Sequence, residues 1–228
     1  MPTSVMTHLE RFLDPSVVSL KICGVRSEDD ARRLIGMGVD ALGVNFWDRS
    51  KRYLDPASAT WLKGLEGTIL RVGVFVNAGA EFAIRLVREG LIDVVQLHGD
   101  ETPEDAAVFR DLGIPFIKAL GVVKLDDLAM ADRFGATALL LDAHAPGVYG
   151  GTGATFDWNA AVDYMRDYPD LPLVLAGGIT PANAADAVAF VKPAALDVAS
   201  GAEHAPGVKD FEKVAALLAA LGNNDHVG

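Results

Sequence analysis

The run from Val17 to Met37, VVSLKICGVRSEDDARRLIGM, carries the fold in miniature. Val17 to Cys23 is apolar and β-branched except at Ser19 and Lys21, which is the signature of a buried strand. From Ser27 to Met37, Ala31, Leu34 and Ile35 recur at helical spacing, and Ser27 with Asp30 three residues on marks the helix start. The couplet then repeats along the chain. Strands are expected to end near Cys23, Phe46, Val76, Leu97, Leu120, Asp142, Ala176 and Ala199, each followed by a helix, with Pro103 and Pro181 marking two further helix starts. Strands that alternate with helices pair in parallel, and eight such units can close into a (β/α)8 barrel of the TIM type. The rival, an open doubly wound α/β sheet, wants a Gly-rich turn after its first strand. Cys23-Gly24-Val25-Arg26 does not supply one.

At roughly 100 to 200 residues per domain, 228 residues suit one such barrel. It is expected over residues 17–222. An N-terminal extension over 1–16, with Val5, Leu9, Phe12 and Leu13 at helical spacing, should form a short helix packed on the barrel, and 223–228 should be a frayed tail. Half the residues are hydrophobic, enough for a sizeable core. Asp and Glu outnumber Lys and Arg by 31 to 20, a net charge of −11 that opposes nucleic-acid binding. No apolar run is long enough to cross a membrane, and Glu10, Arg11 and Asp14 interrupt any signal peptide. The lone cysteine, Cys23, fits a reducing compartment, with the cytoplasm as the default. Nothing in the sequence specifies an oligomeric state.

The extra length lies after strands 2 and 6, on the face where such barrels build their active sites. Gly177-Gly178 and Ser200-Gly201 follow the adjacent strands 7 and 8, where backbone amides can cradle a phosphate; bare turns are the alternative. Asp142 emerges from the apolar run Ala138 to Leu141, a setting that suits a proton donor, or else it caps a turn. Cys23 is either a small buried hydrophobe or a base, and a base would need positive potential nearby. Lys21 shares the inward face of Cys23 and needs a partner; Asp197 on strand 8 is expected to supply it, in a structural rather than catalytic role. Arg49, Lys51 and Arg52 form the densest positive cluster in the chain; such a cluster is either merely solvated or lends one arginine to clamp a carboxylate. Gln96 and His98 end strand 4 as candidates to line the site, His98 being otherwise a hydrogen-bonded turn residue. A single histidine without further ligands at metal spacing argues against a metal.

These segments come in a known order. Lys21-Ile22-Cys23-Gly24, Ser50-Lys51-Arg52-Tyr53, Gln96-Leu97-His98-Gly99, Leu141-Asp142-Ala143, Gly150-Gly151-Thr152-Gly153 with Phe156-Asp157-Trp158, Leu175 to Ile179, and Asp197 to Gly201 together resemble the phosphoribosylanthranilate isomerases of tryptophan biosynthesis, from residue 20 to about 220. The resemblance implies an Amadori rearrangement of N-(5-phosphoribosyl)anthranilate to 1-(2-carboxyphenylamino)-1-deoxyribulose 5-phosphate, with no cofactor and a small sugar phosphate as the binding partner. It makes Cys23 the general base and Asp142 the general acid. Arg52 would hold the anthranilate carboxylate, Gly177, Gly178, Ser200 and Gly201 the phosphate, and the loop with Gly151 and Gly153 would fold over the sugar. Asp48 and Lys51 replace a frequent proline, and Ala199 a frequent serine. The alternatives are another barrel enzyme acting on a sugar phosphate, such as a pentose-phosphate epimerase or an indole-glycerol-phosphate synthase, and a non-catalytic barrel that binds a phosphate ligand.

Overall fold

The computed structural model describes residues 4–122, 131–143 and 158–222. Eight parallel strands close into a barrel in sequence order: β1 Ser19–Cys23, β2 Ala41–Asn45, β3 Leu70–Phe75, β4 Val94–Leu97, β5 Phe116–Val122, β6 Ala138–Ala143, β7 Leu173–Leu175 and β8 Ala195–Val198. Every strand ends within two residues of its expected position. Closure is made by β8 on β1, with Lys21 opposite Asp197 and Ile22 opposite Val198.

The outer ring is less uniform than the sequence rhythm suggests. Helices α2 Glu28–Met37, α3 Ala80–Arg88, α4 Pro103–Asp111, α5 Asn159–Asp167, α6 Ala184–Val191 and α7 Phe211–Gly222 follow β1, β3, β4, β6, β7 and β8. The crossover from β2 to β3 instead runs through two 3₁₀ turns, Pro56–Ser58 and Thr60–Leu65, which corrects the expectation of a helix after every strand. Pro56, Gly64 and Gly67 leave too short a stretch of helix-forming residues there. The crossover after β5 ends in another 3₁₀ turn, Ala131–Phe134, beyond residues that are not described. The helix starts marked by Ser27 and Pro103 are made: Ser27 accepts from the Asp30 amide, and α4 opens at Pro103, just after Thr102, which forms a reciprocal capping box with Asp105. Pro181 does not open α6, whose first turn begins three residues later at Ala184. There the Asn183 side chain binds the Thr180 amide and the Gly178 carbonyl, holding the bend that delays the helix.

Inward side chains fill the barrel as one cluster that includes Val72, Ile117, Ala119, Leu140 and Val174. An additional helix, α1 Ser4–Phe12, lies at the end where the strands begin. Its Leu9 and Phe12 join the same cluster, beside Ala41, Leu70, Val94, Ala138 and Ala195, the first residues of β2, β3, β4, β6 and β8. Phe12 is fully buried. Arg11 pairs with Asp40 at 3.1 Å, and Asp40 also accepts from the Leu20 amide, which ties α1 to β1. The bottom of the barrel is thus stoppered, and its free end is the one where the strands finish. Among the described residues, no helix is long and apolar enough to cross a membrane. The tail 223–228 lies outside the described residues.

Candidate active site

Cys23 ends β1 and Asp142 stands one residue from the end of β6, so both lie at the open mouth, separated the short way round by β7 and β8. Both are largely buried, Cys23 at 9% exposure and Asp142 at 7%.

Around Cys23 the chain assembles the positive potential that a thiol base requires. Lys21, two residues back on β1 and fully buried, donates to Asp197 at 2.7 Å, the ion pair expected from strand alternation and closure. Its Nζ and the Cys23 Sγ both crowd against Gly43 on β2. A Cβ there would sit 2.9 Å from the first and 2.8 Å from the second, so only glycine leaves room for both. Lys209 donates to the Cys23 carbonyl and to Glu203. Burial pushes the Cys23 thiol above its ordinary range; Lys21, Lys209 and Arg52 pull the other way, and Asp197 adds to the rise. Burial also opposes the charge of Lys21, yet Asp197 and the thiol hold its ammonium above the usual lysine range.

Arg52 comes from the β2 loop and is half-buried, whereas Arg49 and Lys51 of the same cluster are exposed. Its Nε and Nη2 grip the Glu203 carboxylate at 2.8 and 2.6 Å, which raises its pKa further. That occupies one edge of the guanidinium. Nη1, on the other edge, makes no hydrogen bond among the described residues. The Arg52 stem lies over Gly24, where φ is +79° and a Cβ would overlap it.

Asp142 is approached from β4. The Gln96 amide donates to His98 Nδ1 at 2.7 Å, so the imidazole carries its proton on Nε2 and donates it to Asp142 Oδ2 at 3.3 Å. Gln96 is fully buried and fixes the tautomer. The next loop is cross-braced as well: Glu101 accepts from the Asn77 and Gly99 amides and from Lys118.

The two glycine segments meet. Gly177 and Gly178 adopt φ of +80° and +66°, conformations that favour glycine. A Cβ on Gly201 would lie 1.9 Å from the Ile179 carbonyl oxygen, so the turn after β8, which starts at Ser200, packs directly on the turn after β7. Gly151 and Gly153 lie outside the described residues.

Sequence reasoning missed Glu203 and Lys209. They sit on a small antiparallel hairpin, β9 Glu203–Ala205 and β10 Val208–Lys209, inserted between β8 and α7. Glu203 binds Arg52, Lys209 and the Gly207 amide, and these bonds with the two cations hold its carboxyl below the usual glutamate range despite burial. The signal was the Pro206-Gly207 turn between two short extended segments.

Comparison with known proteins is consistent along the whole barrel. Residues 20–220 match the family model described as N-(5'phosphoribosyl)anthranilate (PRA) isomerase. The N-(5'-phosphoribosyl)anthranilate isomerase of Acidithiobacillus ferrooxidans is 42% identical over 208 residues, 90% of this chain and 98% of that one. The crystal structure of phosphoribosyl anthranilate isomerase from Thermotoga maritima superposes with a TM-score of 0.83 at 36% identity, covering 91% of this chain and 100% of that one. A second solved isomerase, in complex with reduced 1-(O-carboxyphenylamino)-1-deoxyribulose 5-phosphate, superposes with a TM-score of 0.78 at 32% identity, covering 91% and 100% of the two chains.

Proposed function

This chain belongs to the N-(5'-phosphoribosyl)anthranilate isomerase family and performs the isomerisation of tryptophan biosynthesis, and on that premise we propose how its residues divide the work. Asp142 is the general acid and Cys23 the general base, acting from opposite sides of one sugar. The supporting observation is the pairing of a thiol ringed by cations on β1 with a carboxyl held by His98 on β6, at the same end of the barrel.

Asp142 gives its proton to the furanose ring oxygen as the anthranilate nitrogen's lone pair opens the ring to an iminium. The Cys23 thiolate then takes the C2 proton, the electron pair of that C–H bond forms the C1=C2 double bond, and the C=N π pair returns to the nitrogen, leaving an enolamine. Reprotonation at C1 and loss of the hydroxyl proton give the ketone. The substrate's own nitrogen is the electron sink. Proton transfers of this kind contribute about 10²- to 10⁴-fold each.

The phosphate sits on the touching turns of Gly177, Gly178, Ser200 and Gly201, whose close backbone approach and left-handed glycines suit amide contacts to an oxyanion. The free edge of Arg52 takes the anthranilate carboxylate, with Glu203 bracing the other edge. Gln96 and His98 line the site and orient Asp142. The substrate is bound as a free small molecule, and the single thiol suits a reducing cytoplasm. Rescue of a tryptophan auxotroph lacking this step tests the reading: the natural chain should restore growth, while Cys23→Ala and Asp142→Asn should not. Growth supported by either variant at equal expression would remove that residue from the mechanism.

A further inference from the structure

The acid–base scheme leaves one buried charge unused. Lys21 is fully enclosed, and a core ion pair with Asp197 would be an expensive way merely to hold β8 against β1, which backbone hydrogen bonds already do along four register pairs. Its location is more specific than a seam. Lys21 Nζ and Cys23 Sγ share the space that Gly43 leaves by having no side chain, so the ammonium faces the sulfur as well as Asp197. We propose that Lys21, oriented by Asp197, is a positioning residue that favours the Cys23 thiolate form needed by the base, its charge balancing the sulfur when it ionises and losing that balance as the sulfur takes the C2 proton.

Among the described residues, the charged groups that act on the sulfur come from several elements. Lys21 comes from β1, Asp197 from β8, Lys209 from β10 and Arg52 from the β2 loop, with Glu203 of β9 holding the last two. Lys209 and Arg52 share Glu203, which neutralises part of their field, and Lys209 reaches the Cys23 carbonyl rather than the thiol. Lys21 exerts the largest favourable influence on the thiolate, greater than the opposing one of Asp197. Lys21 passes no proton in this scheme; Asp197 and the thiol favour its charged form against burial.

The inference rests on Cys23 being the base, and its test is separable from that reading because Cys23 is the only cysteine in the chain. All thiol chemistry of this chain therefore reports on this one sulfur. The rate of alkylation by iodoacetamide, followed against pH, gives the ionisation midpoint without reference to turnover. Lys21→Met should raise that midpoint and lower kcat while leaving KM nearly unchanged. Because the single variant strands Asp197, the deciding form is Lys21→Met with Asp197→Leu, which removes both charges and keeps the volume apolar. Its midpoint should rise by about one pH unit, the scale of losing a neighbouring opposite charge. A midpoint in the folded double variant equal to or below that of the natural chain overturns the proposal and leaves the pair purely structural. Full turnover in Cys23→Ala would instead overturn the base assignment, whatever the midpoint does.

Discussion

Gly43 shows how tightly the mouth of β1 is packed. Adding a methyl group there would drive the Cys23 sulfur and the Lys21 ammonium apart. Gly43→Ala is expected to cost about 1–3 kcal/mol by overpacking and to slow turnover, checked by urea unfolding beside a rate assay; an unaltered enzyme would mean the crowding is absent in solution. The titration of Cys23 sets a second expectation. Burial raises the thiol above its ordinary range even with three cations nearby, and the base acts only as thiolate, so turnover should climb with pH into the alkaline region. A profile already flat at pH 6 would contradict this. At this scale the sequence was informative where strand alternation applied: Cys23, Lys21 and Asp197 followed from side-chain parity and the closure of β8 on β1. It was silent on the partner of Arg52, because the contact with Glu203 spans 151 positions and no local pattern announces it.

The β9–β10 hairpin and α1 are two elements added to the repeat of strand and helix. In the hairpin, Glu203 stands between Arg52 and Lys209. Removing one partner of a buried ion pair costs about 3–5 kcal/mol, so Glu203→Ala should destabilise the fold on that scale and raise KM by freeing the Arg52 side chain. The pH dependence has a definite sign. Glu203 is held below its unfolded pKa, so its contribution is present above the ordinary glutamate range and is lost as pH falls through the depressed folded value. Glu203→Gln should flatten the acid limb of the stability curve, and an unchanged limb would count against the network. For α1, Phe12 is completely enclosed at the base of the barrel. Phe12→Ala should cost about 3–5 kcal/mol, read by urea denaturation, and a loss under about 1 kcal/mol would indicate that the helix does not dock. The apolar spacing of Leu9 and Phe12 signalled a helix, but where it docks depends on the open bottom of a closed barrel, which local sequence does not encode. The missing helix between β2 and β3 was obscured for a related reason: the rhythm of the neighbouring units outweighed the local message of Pro56 and Gly64.

At the scale of the molecule, closure is the device that brings these parts to one place. Strands of matching direction put Cys23, Gln96, His98 and Asp142 at one end, and β7 beside β8 puts the glycine turns in contact. The same geometry concentrates Lys21, Arg52 and Lys209 around the mouth of a chain whose net charge is −11. Each motif taken alone was weak; their order along eight strands made both the architecture and the isomerase family legible. What sequence order left out was the set of contacts between loops that follow non-adjacent strands. The division of labour between β1 and β6 is tested most directly by the turnover of N-(5-phosphoribosyl)anthranilate, followed by its fluorescence change, in the natural chain, Cys23→Ala and Asp142→Asn. Each folded variant should turn over at least about 10²-fold more slowly than the natural chain, and a rate within about twofold of it in either would contradict the assignment.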